Sequence, residues 1–116
     1  MWRPLSEISL AEVLLRLERY PDAEAEFQAE LESYPRSVAA RIGLASAQHA
    51  AGKTAEAVAT VDALIAIMPA PDAYAAAIRL LTAFGEPSRA ATLRSDARER
   101  FPLETAQART ARASRR

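Results

Sequence analysis

Residues 44–69 read LASAQHAAGKTAEAVATVDALIAIMP, and the positions of Gly and Pro in this segment are the main indication of the fold. Gly52 separates two amphipathic runs, and Pro69 closes the second run. Within both runs apolar residues recur at intervals of three and four, which is the period of an α-helix and not the alternation of a β-strand. Gly and Pro are the usual signals at which helices stop. The stretch therefore predicts one helix-turn-helix unit.

The same markers recur in register on both sides of this unit. Gly52 and Gly85 each lie five residues before an Ala, at a position where the first copy has Glu18. Twelve residues after each such Ala comes a Pro, and successive prolines are 34 and 33 residues apart. The alanines are Ala23, Ala57 and Ala90, and the prolines are Pro35, Pro69 and Pro102. Periodicity of this length is typical of an array of helical repeats.

The pattern resembles the tetratricopeptide repeat, whose first helix carries a bulky–Leu–small–bulky series and whose second helix carries Ala, an apolar residue and a closing Pro. The second copy matches most clearly through Leu44, Ala45 and Pro69. The resemblance covers roughly residues 4–102. Departures fall in the first and third copies: Glu7 replaces a frequent Trp, Ala77-Ile78 replaces Leu-small, and Arg94 replaces an apolar residue.

This resemblance implies an all-α fold, a right-handed superhelical stack of three helix-turn-helix repeats within residues 1–102. We expect Ser37 and Thr54 to cap helices, since their hydroxyls accept hydrogen bonds from free amides. Pro21, Pro71 and Pro87 suit first-turn positions. The repeats span about residues 4–37, 38–70 and 71–102, and the helices are expected near residues 5–18, 21–33, 37–51, 54–68, 71–84 and 87–100. Residues 103–116 form a basic tail, either flexible or folded as a short capping helix.

In this family the first helices line a concave groove. The resemblance thus implies a non-catalytic adaptor or scaffold that binds a helical or extended segment of another protein. Glu12, His49 and Arg79 would orient that segment. The apolar positions either bind or belong to the core. The groove positions carried over are Leu5, Ile8, Glu12, Leu15, Ala39, Ile42, Ser46, His49, Asp72, Ala75, Arg79 and Thr82.

Some members of the family clamp the carboxyl terminus of a chaperone with Lys and Asn side chains of the first helices. This chain has neither residue type at the corresponding positions, which argues against that class of partner. The positions hold Leu5, Ser9, Ala39, Gly43, Asp72 and Ala76.

The net charge of zero conceals an asymmetry. Residues 1–35 carry 8 acidic and 3 basic residues, whereas residues 79–116 carry 4 acidic and 9 basic residues, so the two ends have charges of −5 and +5. Opposite ends favour a second hypothesis, head-to-tail self-assembly into a homo-oligomer. A third hypothesis is nucleic-acid attachment through the Arg-rich tail.

Composition argues against catalysis and against a metal or cofactor. The chain has no Cys and a single His, so it lacks the partners for a catalytic triad or a zinc site. Asp22, Glu26 and Glu30 share one helix face, which is either a solvated surface or a site for a metal or basic partner. No apolar run approaches the ~20 residues of a membrane span, and we expect a cytoplasmic protein without a leader. Arg outnumbers Lys 14 to 1, a bias typical of GC-rich bacterial genomes.

Overall fold

A computed structural model describes residues 9–114, and helices account for nearly all of them. No strand occurs within this range. Helices α1 to α6 lie within a few residues of the six predicted ones, apart from the start of the first, because residues 1–8 lie outside the described part of the chain. The helices are α1 (Leu10–Arg16), α2 (Tyr20–Ser33), α3 (Val38–Ala50), α4 (Thr54–Ile67), α5 (Pro71–Ala83), α6 (Pro87–Arg100) and α7 (Pro102–Ser114).

Local capping explains where several helices begin. The Ser37 hydroxyl accepts a hydrogen bond from the Ala40 amide at 3.1 Å, which confirms the predicted cap of α3. The predicted cap at Thr54 is wrong, because Lys53 holds the N-cap position and Thr54 is already the first helical residue. Thr54 therefore lies one residue beyond the position from which a side chain accepts hydrogen bonds from the free amides of the first turn. Prolines lie in the first turns of α2, α5 and α6, as predicted.

The turn inside each repeat has the same left-handed backbone. Gly52 and Gly85 have φ angles of 84° and 75°, and Glu18 has a φ angle of 60° at the equivalent position of the first repeat. Only Gly adopts this conformation without steric cost, and another L-residue loses roughly 1–2 kcal/mol. The turn geometry therefore persists in the first repeat although the residue that favours it is absent.

The helices form two layers of unequal spacing. Each helix packs on the next along the chain, and α1, α3 and α5 also contact one another in that order. Within residues 9–114 no comparable contact joins α2 to α4 or α4 to α6. The first helices of the repeats therefore stand closer together than the second helices, and the stack curves toward the face formed by α1, α3 and α5.

Small residues bring the repeats together. The junction of repeats one and two buries Phe27, and a Cβ atom added to Gly43 would overlap the Cε1 and Cζ atoms of its ring. The close approach of α3 to α2 thus depends on the absence of a side chain at Gly43, as ridges-into-grooves packing requires. The core has three clusters: Ala11, Ala23, Phe27, Leu44 and Ala47; Ala45, Val58, Val61, Ala77, Leu81 and Ala90; and Leu64, Ala73 and Ala76.

Packing thins at the carboxyl end. Arg94 is exposed at the register position where repeats one and two bury Phe27 and Val61. The helix that follows, α7, packs on α6, yet none of its described side chains is buried. Leu103 in its first turn is 74% exposed. The basic tail is therefore helical over Pro102–Ser114 but contributes little to the core.

Candidate functional site

The α5 part of the predicted groove is an exposed stripe. Asp72, Ala75, Arg79 and Thr82 all lie on α5, and all four are exposed. Their spacing of three, four and three residues places them along one helix face. Asp72 and Arg79 supply opposite charges, and the small side chain of Ala75 between them leaves the helix backbone accessible.

The α3 part of the predicted groove is more covered, because α3 lies between α1 and α5. Ala39 is exposed, whereas Ile42, Ser46 and His49 are half-buried. Ile42 packs against the cluster of Leu64, Ala73 and Ala76. Ile42 therefore contributes to the core while part of its surface stays accessible.

The groove positions predicted on the first repeat are only partly described. Leu5 and Ile8 lie outside the described residues. Leu15 is half-buried and packs against the cluster around Phe27, and Glu12 is half-buried near the start of α1. The structure thus places ten of the twelve predicted positions on α1, α3 and α5, the three helices that contact one another.

Several polar groups on this face already have partners. The hydroxyls of Ser46 and Thr82 donate to the carbonyls of Ile42 and Ile78, one turn earlier in the same helices, at 2.9 and 2.8 Å. Such bonds hold the hydroxyls against the backbone and leave them less available to a ligand. The charges of Asp72 and Arg79 are consequently the polar features of α5 best placed to contact a partner.

The His49 imidazole stacks on the Phe84 ring. The ring centroids are 4.3 Å apart and the planes are inclined by 16°. Phe84 ends α5, so this contact connects the first helices of repeats two and three. The predicted orienting role of His49 stays a prediction, but its ring also fixes the spacing of α3 and α5.

A buried tyrosine anchors α5 to α6 behind the exposed stripe. The Tyr74 hydroxyl donates to Asp96 Oδ2 at 2.6 Å, and Arg100 Nε donates to Asp96 Oδ1 at 3.2 Å. Burial and the bond to Asp96 raise the pKa of Tyr74. The hydrogen bond from Tyr74 and the charge of Arg100 lower the pKa of Asp96. This network orients α5 relative to α6, and no local sequence pattern indicates it because Tyr74 and Asp96 are 22 residues apart.

The acidic residues of α2 lie in different environments. Asp22 pairs with Arg19 at 2.8 Å on the surface, whereas Glu24 is buried and pairs with Lys53 Nζ at 3.1 Å. The hydrogen bond and the charge of Glu24 raise the pKa of Lys53. Glu24 therefore joins α2 to the start of α4. Within residues 9–114 no three His, Cys, Asp or Glu side chains are arranged to hold a metal ion.

Leu10 occupies the register position of the buried Leu44, but the structure leaves Leu10 58% exposed. Val13 on the same helix and Leu17, its C-cap residue, are also exposed. Within the described residues no helix precedes α1, so no neighbouring helix covers this side of it.

None of the described helices is both long and apolar enough to cross a membrane.

Comparison with known families bears on this face. A family model described as Tetratricopeptide repeat matches residues 8–79, which is more than half of the chain. The matched region contains most of the first repeat, the second repeat and most of α5, including Asp72, Ala75 and Arg79. No curated protein and no solved structure matches the chain.

Proposed function

The chain belongs to the tetratricopeptide repeat family, and from this premise we propose that it is a non-catalytic adaptor or scaffold that binds a segment of a partner protein. Repeats of this family generally mediate protein–protein interaction. The observation that carries the proposal is the close spacing of α1, α3 and α5, which turns the first helices into one curved face. Repeat proteins use such concave faces for binding.

The side chains of this face suggest the chemistry of the bound segment. Ala39 and Ala75 are small and exposed, so an apolar side chain of the partner can approach the helices closely. Asp72 and Arg79 are separated by about 10 Å along α5, from a rise of 1.5 Å per residue. A helical or extended segment with apolar anchors, a basic group near Asp72 and an acidic group near Arg79 fits this arrangement.

The test compares matched substitutions on the two faces of the stack. Ala75→Glu and Arg79→Glu change the proposed binding face, and Ala59→Glu and Arg98→Glu make the same changes at exposed positions of α4 and α6. The full chain captures partners from its native host, and the affinity of the dominant partner is then measured by calorimetry with each variant. We expect at least a tenfold weaker affinity, about 1.4 kcal/mol, for the first pair and wild-type affinity for the second.

Circular dichroism of each variant separates lost binding from lost structure. All four positions are exposed, so the helical signal and the thermal midpoint should stay near those of the wild type. Equal affinity of all four variants would overturn the assignment of the binding face. Substitution of Ile42 is avoided because this side chain also packs in the core.

A further inference from the structure

One side of α1 is an exposed apolar stripe that lies apart from the face described above. Leu10, Val13 and Leu17 are 58%, 39% and 63% exposed. Their spacing of three and four residues puts them on one side of the helix. Ala11 and Leu14 pack inward against the core. A contiguous apolar surface of this kind marks an interaction site more often than scattered single residues do.

The inner repeats bury the residue equivalent to Leu10. Leu44 corresponds to Leu10 and packs with Phe27 of the preceding repeat. Ala77 occupies the same position in the third repeat and packs with Val61 of the preceding repeat. The stripe of α1 is therefore the surface that a preceding helix would cover, and α1 is the first helix among the described residues.

The other end of the chain holds a helix with unused surface, and it follows a part of the chain that has the opposite charge. None of the described side chains of α7 is buried, and Leu103, Arg109 and Arg112 are all exposed. Residues 79–116 carry a net charge of +5, whereas residues 1–35 carry −5. Two copies of the acidic end would repel each other, but the acidic end attracts the basic end. Within the described residues α1 and α7 make no substantial contact, so a single molecule does not join them.

We propose that the apolar stripe of α1 is the docking surface for α7 of a second copy of this chain. Leu103 contacts Leu10, Val13 or Leu17, and the basic carboxyl-terminal part of the chain, residues 79–116, faces the acidic first repeat. The contact is heterologous, so dimers retain one free end of each kind and grow into longer head-to-tail assemblies as concentration rises. This inference is independent of the proposed function, because it leaves the exposed stripe of α5 free.

Neutral substitutions at the two ends test the proposal. The stripe variant is Leu10→Gln with Leu17→Gln, and the tail variant is Leu103→Gln with Arg109→Gln and Arg112→Gln. Tyr34→Gln is the control, because Tyr34 is 71% exposed but lies on neither surface. Sedimentation velocity of the full chain is run over a concentration series in about 50 mM and about 500 mM salt, which changes the Debye length severalfold.

We expect the average mass of the wild type and of Tyr34→Gln to rise with concentration in low salt and to fall in high salt. Each end variant alone should remain monomeric, with a dissociation constant raised at least tenfold. An equimolar mixture of the two variants should form a one-to-one dimer that does not grow, because each variant supplies one intact end.

Three results would overturn the proposal. A wild type that is monomeric at every concentration in low salt would mean that residues 1–8 or another protein cover the stripe. Association that survives in the tail variant alone would mean that two stripes pair with each other. A mixture that stays monomeric would mean that α7 is not the occupant.

Discussion

The junction of the first two repeats and the end of the third use one register position in opposite ways. Phe27 lies four residues after Ala23, is 2% exposed and packs against the backbone of Gly43. Arg94 lies four residues after Ala90, the equivalent position of the third repeat, and is exposed. The next helix packs closely in the first case, whereas α7 has no buried described side chain. A repeat stack therefore continues where a bulky apolar residue meets a small one, and it thins where a charge takes the bulky position.

Among the substitutions that test this comparison, Phe27→Ala should reduce the free energy of unfolding most. The substitution removes a buried ring from the junction and leaves a cavity, which typically costs about 3–5 kcal/mol. Urea denaturation of the full chain, monitored by circular dichroism, measures the change in the free energy of unfolding. A loss below about 1 kcal/mol, the typical effect of any point mutation, would show that the junction does not depend on this ring.

Gly43→Ala should destabilise the same junction from the opposite side. The added Cβ overlaps the Phe27 ring, and overpacking of this kind costs typically about 1–3 kcal/mol. A double variant with Phe27→Leu should lose less than the sum of the two single changes, since the smaller side chain makes room. Strictly additive losses in urea denaturation would contradict direct contact between these positions.

Glu18→Gly should stabilise the protein by roughly 0.5–1 kcal/mol, because Gly relieves the left-handed strain but adds freedom to the unfolded chain. Gly85→Ala is the matched opposite change at the equivalent turn and should destabilise. Thermal unfolding of both variants beside the wild type gives the two signs. Destabilisation by Glu18→Gly would mean that the Glu18 side chain contributes more than its backbone costs.

Tyr74→Phe should weaken the attachment of α5 to α6 in a pH-dependent way. The folded-state pKa of Asp96 lies below its ordinary value of 3.8, so the stabilisation is present above that pH and is lost as the pH falls through the folded-state pKa. Stability of wild type and variant measured from neutral to acidic pH should differ most near pH 7 and converge in acid. A difference that does not change with pH would mean that Asp96 does not take part.

Arg94→Ala should have the smallest effect, within about 0.5 kcal/mol, because an exposed side chain away from the core is removed. Urea denaturation beside Phe27→Ala provides the direct contrast between the two ends of the stack. A loss as large as that of Phe27→Ala would show that the guanidinium group, which lies 3.5 Å from the Thr82 hydroxyl, stabilises the last repeat.

Local sequence signals are sufficient to predict the helices, the turns and the register of the repeats. These features depend on interactions between residues a few positions apart: the hydroxyl of Ser37 on the amide of Ala40, the prolines of first turns, and Gly52 and Gly85 in left-handed turns. Interactions of this kind can be predicted from the sequence because the residues involved are close together along the chain. The same register placed the exposed stripe of Asp72, Ala75, Arg79 and Thr82 on one helix.

Which side chains of each helix are covered could not be predicted in this way, because burial depends on the neighbouring repeat and not on the residue type. Leu10 and Leu44 share a register position, yet Leu10 is 58% exposed on the first described helix and Leu44 is 7% exposed between two repeats. Glu24 belongs to an acidic helix, yet it is buried because Lys53, from the next repeat, reaches its carboxylate. Pairs so distant in sequence leave no local pattern, and they come together only when the helices pack.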